Sequence, residues 1–238
     1  MGSRSPRLRP SEAEAWHVRL GRISYERAFA IQRLAHRLRR EGRIPDILLT
    51  LEHDPPVFTC GRSAGAGGLA AEADEIARSG IPILHVDRGG DITYHGPGQL
   101  VVYPIVDLRR LGKDVREHIK RLEEAAIRTV AEYGVCAARR PGYPGVWVEP
   151  GKLASVGVYV KDWVTRHGLA LNVDVNREHF AMIRPCGLPV RAVSLVELLG
   201  RPVRLDEVEA TFVARATEVF EWNASSRGLE CLGEERDD

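Results

Sequence analysis

Two residues sit where the backbone would present them for covalent or proton-transfer chemistry. Cys186 lies in Arg184-Pro185-Cys186-Gly187-Leu188, and Lys152 opens Gly151-Lys152-Leu153-Ala154-Ser155-Val156-Gly157. Pro185, Gly187 and Pro189 disfavour helix around the thiol, so it reads as a turn residue, and turns present reactive groups to ligands. An ammonium beside a thiol stabilises the thiolate, which is the nucleophilic form. A lysine in an apolar pocket loses affinity for its proton and can act as a base. The bland alternatives stand beside these readings. An arbitrary cysteine is more often a small buried hydrophobe, and a strand-end lysine is ordinarily solvated. Residue types alone leave both open and do not show that the two side chains meet.

A third segment supplies a ligand cradle. Arg88-Gly89-Gly90-Asp91-Ile92-Thr93-Tyr94-His95-Gly96-Pro97-Gly98-Gln99 combines glycines that permit close backbone approach with a stiffening proline and several polar heads. The apolar run Leu100–Val106 follows at once and reads as a buried strand. Small or apolar residues at Ala154, Ser155, Gly157, Gly168, Leu169 and Ala170 leave room on neighbouring strand-like segments.

The elements that must hold these segments are legible in outline. Ile31, Leu34, Ala35 and Leu38 follow helical spacing up to Gly42; a second stripe runs from Val115 to Tyr133 behind Asp114 and Glu117, which resemble a capping box; a third runs from Leu205 to Trp222. Strand-like runs fall at 47–51, 56–59, 81–87, 99–106, 145–149, 152–160 and 168–173. Several are joined by turns too short for a helix, such as Glu149-Pro150-Gly151. The expected fold class is therefore α/β of the α+β type: a single domain with a mixed, largely antiparallel sheet flanked by helices. Residues 1–10 are expected to be a flexible tail, 11–225 the catalytic domain, and 226–238 a polar C-terminal tail, with fraying beyond Trp222.

Composition excludes several functions. A net charge of +1 argues against a nucleic-acid binder. No apolar run approaches the length of a membrane span, and no apolar segment follows the Arg- and Ser-rich start as a signal peptide requires, so a cytoplasmic location is expected. The cysteines at 60, 136, 186 and 231 show no zinc-ligand spacing, so no metal is expected. Only Lys113, Lys120, Lys152 and Lys161 are lysines among 34 basic residues, which sets a lysine inside a glycine-rich strand apart, although host codon usage is the stronger explanation of the arginine richness.

Together the segments at 88–99, 151–157 and 184–188 resemble the octanoyltransferase family, also called lipoate-protein ligase B, over about Ile47 to Leu199. The resemblance implies the fold shared with biotin and lipoate protein ligases, with Cys186 as acyl-thioester nucleophile and Lys152 as its activating partner. It also implies that the substrate site is lined by Arg88, Gly89, Gly90, Asp91, Ile92, Thr93, Tyr94 and His95, by Ser155, Val156 and Gly157, and by Gly168, Leu169 and Ala170. The implied donor is octanoyl-acyl carrier protein. The implied acceptors are lipoyl domains of 2-oxoacid dehydrogenase E2 subunits and the glycine cleavage H protein, with neither ATP nor metal required. His95 is expected in the pocket rather than as general base, and Cys60 as structural; His53 and His167 fall in family-like stretches without an assigned role. Three other readings share parts of the pattern: an ATP-dependent lipoate or biotin ligase, an amidotransferase between lipoyl domains, and a non-catalytic carrier-binding module.

Overall fold

The computed structural model describes residues 13–64, 73–149, 151–183 and 191–233. In chain order, β1 (Ala13–Ile23), α1 (Tyr25–Arg40), β2 (Asp46–His53) and β3 (Val57–Cys60) come first. They are followed by α2 (Ala73–Ser79), β4 (Ile83–His85), β5 (Ile92–His95), β6 (Gln99–Ile105) and α3 (Val115–Ala131). Next are β7 (Ala138–Arg140), β8 (Tyr143–Val148), β9 (Gly151–Lys161) and β10 (Val164–Asn172). The chain then adds α4 (Arg177–Ala181), α5 (Leu195–Leu199), α6 (Leu205–Phe220) and β11 (Trp222–Arg227).

Eight strands make one sheet in the order β11-β1-β2-β6-β10-β9-β8-β7, and β4-β3-β5 make a smaller one. Within the large sheet only the β1–β11 and β1–β2 pairs are parallel; the others are antiparallel. The mixed, largely antiparallel architecture expected from the short turns is the one observed. β6 and β10 are buried along their whole length; β6 is near-continuously apolar, whereas β10 also buries Thr165, Arg166, His167 and Asn172. Alternate residues serve two cores: Leu100, Val102, Leu169 and Leu171 pack with residues of α3 and α6, whereas Val101, Tyr103, Ile105 and Ala170 pack with those of α1.

Local chemistry sets the helix ends. Ser24 Oγ accepts from Arg27 N–H at the start of α1, and Asp114 Oδ1 accepts from Arg116 and Glu117 N–H at the start of α3. Glu117 pairs onward with Arg121 at 3.1 Å, so Asp114 is the cap while the return half of a capping box is not made.

Two expectations change. Helix α6 stops at Phe220, with Glu221 in the left-handed region, and Trp222 begins a strand instead of ending the helical stripe. The polar stretch after Trp222 does not fray through residue 232: β11 pairs with β1, and Leu229–Leu232 form a 3-10 turn. Trp222 and Leu232 are buried in the two cores and anchor this stretch, while β1 offers it an open hydrogen-bonding edge. Residues 1–10 lie outside the described residues.

Candidate active site

The glycine-rich loop is held from below. Arg88 is buried, and its guanidinium donates to the Thr59 carbonyl oxygen at 2.6 Å and to Thr59 Oγ1 at 3.0 Å, pinning the loop to β3. Gly89 N–H donates to the Val158 carbonyl at 2.8 Å and joins the loop to β9. Two glycines are required by close approach. A Cβ on Gly157 would lie 2.9 Å from the Gly89 carbonyl oxygen, and one on Gly168 would strike the carbonyl oxygen of Val102. The three segments singled out around 88–95, 155–157 and 168–170 thus meet because β9 pairs with β10 in the register Ser155↔Ala170 and Gly157↔Gly168.

Between them lies a cleft of about 190 Å³. Arg88, Gly89, Gly90, Asp91, Ile92, Thr93 and His95 line one side; Ser155, Val156 and Gly157 of β9 and Gly168, Leu169 and Ala170 of β10 line another. Tyr94 does not line it. It points to the other face of β5, edge-on to Phe180, with its hydroxyl 3.2 Å from His179 Nδ1. Strand alternation separates it from Thr93 and His95.

Lys152 lines the cleft from the start of β9 and is 8% exposed. Its ammonium lies 5.1 Å from the centre of the Trp147 ring, a favourable cation–π distance. Its backbone is clamped by the segment beyond residue 190: Lys152 N–H donates to the Arg191 carbonyl at 2.9 Å, and Val193 N–H donates to the Lys152 carbonyl at 3.1 Å. Cys186 and its neighbours 184–190 lie outside the described residues. Cys60, the cysteine nearest the loop in sequence, is buried on β3, and burial pushes its thiol up, away from the reactive thiolate.

His95 is buried and its pKa is held well below the ordinary imidazole value, chiefly by burial and then by neighbouring His53. Gln99 Nε2 donates to the Tyr94 carbonyl and to Asn172 Oδ1, so Gln99 Oε1 is the acceptor and His95 Nδ1–H the donor of their 2.8 Å bond. Asn172 Nδ2 in turn donates to the Val193 carbonyl at 3.1 Å. One hydrogen-bond chain therefore links the loop to the segment that clamps Lys152.

Sequence reasoning gave no site role to Tyr25, Tyr103, Ile119, Pro144 and Val158, and left His167 without one; all six line the cleft. His167 adopts a left-handed backbone conformation (φ 57°) inside β10, with Nε2 2.9 Å from Asp87 Oδ1. Such a conformation is costly for a residue with a Cβ and is a known mark of functional sites. Tyr25 comes from α1 and Tyr103 from β6, so no local spacing links them to the loop. Among the described residues no group of three or more histidine, cysteine, aspartate or glutamate side chains is arranged to hold a metal ion, and no helix is long and apolar enough to cross a membrane.

The family of the lipoyl protein ligase A/B catalytic domain matches residues 24–217. An octanoyltransferase of Geobacter metallireducens is 45% identical over 82% of this chain and 89% of its own length. One from Solibacter usitatus is 44% identical over 85% and 91%. Among solved structures, a bipartite lipoate protein ligase from Thermoplasma acidophilum covers 92% of this chain and 90% of its own, with a TM-score of 0.69 at 16% identity, a likeness of fold. Sheet, cleft and sequence agree, and the chain belongs to the lipoyl protein ligase A/B catalytic-domain family, in which its relatives are octanoyltransferases, enzymes that transfer acyl groups.

Proposed function

We propose that the chain moves an octanoyl or lipoyl group from acyl carrier protein to a lysine of a lipoyl domain through a thioester on Cys186. The Cys186 thiolate attacks the carrier thioester; the carrier thiolate leaves and takes up a proton. The acceptor's neutral amine then attacks the acyl-enzyme, its nitrogen gives up one proton to solvent, an amide forms, and the Cys186 thiolate is released. The first step exchanges one thioester for another and the second is downhill, so the sequence needs no ATP and no metal. As an ammonium, Lys152 stabilises the thiolate; in its neutral form it helps remove the proton from the incoming ammonium.

The observation that carries this reading is a cleft of about 190 Å³, lined along β9 and β10 by small and apolar residues, with the buried Lys152 in its wall. Cys186 stands only five positions before Arg191, whose carbonyl accepts from Lys152 N–H, and that short tether supports the pairing. The Thermoplasma acidophilum ligase was studied with its E2 lipoyl domain, which supports a lipoyl domain as acceptor here.

Intact-protein mass spectrometry after mixing with octanoyl-acyl carrier protein, without ATP, tests the proposal. A hydroxylamine-labile octanoyl adduct is expected, lost in Cys186→Ser and discharged by an apo-lipoyl domain. Lys152→Ala is expected to slow adduct formation by about 100-fold or more. No adduct, but octanoylation of the lipoyl domain once ATP and free octanoate are added, would make the protein an ATP-dependent ligase instead.

A further inference from the structure

Five polar aromatic side chains gather at the end of the cleft away from Lys152. Ring centres lie 5.1 Å apart for Tyr25–His53, 5.5 Å for His53–His95, 6.0 Å for His53–Tyr103 and 6.1 Å for Tyr103–His167. Three pairings satisfy most of their polar atoms: His53 Nε2 with Tyr103 O–H at 2.8 Å, His167 Nε2 with Asp87, and His95 Nδ1 with Gln99. Two hydroxyls are left over. Tyr25 O–H and Thr93 Oγ1 have no hydrogen-bond partner among the described residues, although both are buried, at 5% and 7% exposure, and both residues line the cleft.

Buried hydroxyls are normally paired because leaving one unpaired is costly. A plain hydrocarbon chain would leave both as they are. The surroundings favour a group that both accepts and donates. Burial keeps the Tyr25 hydroxyl protonated, hence a donor. His95 donates through Nδ1, which leaves Nε2 as a lone-pair acceptor. Thr93 lies two residues from His95 on the same face of β5, about 7 Å away along the strand.

Position decides which part of a ligand reaches this end. The cleft follows β9 from Lys152 to Val158, with Val158 paired to His167. The Lys152 side chain runs along the strand: a Cβ on Gly145, which pairs with Ser155, would lie 3.2 Å from the Lys152 ammonium, so the charge sits at the level of Ser155. From Ser155 to Val158 is about 10 Å of strand, comparable to an extended eight-carbon chain. An acyl group whose carbonyl lies beside Lys152 therefore carries its tail to the level of Tyr25 and His167.

We propose that Tyr25 and Thr93 form a hydrogen-bonding subsite for a polar atom at the tail of the acyl chain, so that the cleft takes medium-chain acyl groups bearing a terminal hydroxyl as well as unsubstituted ones. The orientation of the chain rests on the proposed function.

The test compares octanoyl and 8-hydroxyoctanoyl groups on the same acyl carrier protein, reading the ratio of their kcat/KM values. A purely apolar pocket rejects a hydroxylated chain by about tenfold or more. The expected wild-type ratio, hydroxylated over plain, is above about one tenth, and it falls at least about fivefold in Tyr25→Phe or Thr93→Val. A wild-type ratio below one tenth, or a ratio unchanged in both variants, overturns the subsite. If neither chain is transferred, the proposed reaction has failed, and binding of free octanoate and 8-hydroxyoctanoate to the wild-type protein by calorimetry decides the subsite on its own. Affinities within about tenfold of each other support it, and weaker binding of the hydroxylated acid by more than that overturns it.

Discussion

His118 pays a visible electrostatic penalty at the scale of single residues. It is fully buried against Phe220, and neither ring nitrogen has a hydrogen-bond partner among the described residues. Burial, helped by Arg121, pushes its pKa from 6.5 down to about 3, and burial, with a smaller push from His167, takes His53 down to about 4 against the opposing bond to the Ile23 carbonyl. The unfolded chain binds protons on these rings below pH 6.5 while the folded chain does not, so stability falls as pH drops from about 6.5 toward 4. A melting temperature that is flat from pH 8 to 7 and declines below 6.5 is expected. His118→Leu should flatten that decline and raise stability at pH 7 by about 1 kcal/mol, as measured by denaturant titration. Gly168→Ala should act oppositely. Its Cβ meets the fixed backbone carbonyl of Val102 and the Pro104 ring, so a loss of about 1–3 kcal/mol is expected, together with a narrowed cleft and slower acyl transfer.

At the scale of elements, caps and edges explain what the sequence made legible. The apolar runs of β2, β6, β9 and β10 and the helical stripes of α1, α3 and α6 stand out because each is buried along a face or on both sides. β1 and β11 escaped notice for the opposite reason. Only Ala15 and Val18 of β1 and Trp222 of β11 are buried, so these strands lack an apolar alternation. The glycine-rich loop and Lys152 were readable from local composition. Tyr25, Tyr103 and His167 were not, because only the packing of α1, β6 and β10 brings them to the loop. Asp114→Ala removes a cap that accepts two N–H bonds, and a loss of about 1 kcal/mol is expected by thermal or chemical denaturation. Glu221→Gly relieves a left-handed residue at the end of α6 and should return about that much.

Across the whole molecule, a balanced net charge hides a local excess. Arg33, Arg37 and Arg40 of α1, with Lys161 and Arg166, line one groove. Arg40 pairs with Asp162 and Arg166 with Asp87, whereas Arg33 and Arg37 have no ion-pair partner among the described residues. The groove adjoins the acyl cleft, since Tyr159 and Arg166 face the groove while Val158 and His167, their chain neighbours, face the cleft. An acidic carrier docked there would make KM for carrier-bound octanoate rise severalfold with salt, on the order of the loss from Arg33→Glu at low salt. A KM insensitive to both removes electrostatic docking at this groove. The pairing of β1 with β11 has a mechanical meaning as well. The strands run parallel with Ala13 opposite Trp222 and Val18 opposite Arg227, so tension applied through residue 13 and residue 227 pulls them past each other lengthwise. Their shared ladder is then loaded in shear, all its bonds at once, rather than peeled open one bond at a time. Against a stretching force applied at residues 13 and 227, the edge of the sheet acts as a clamp.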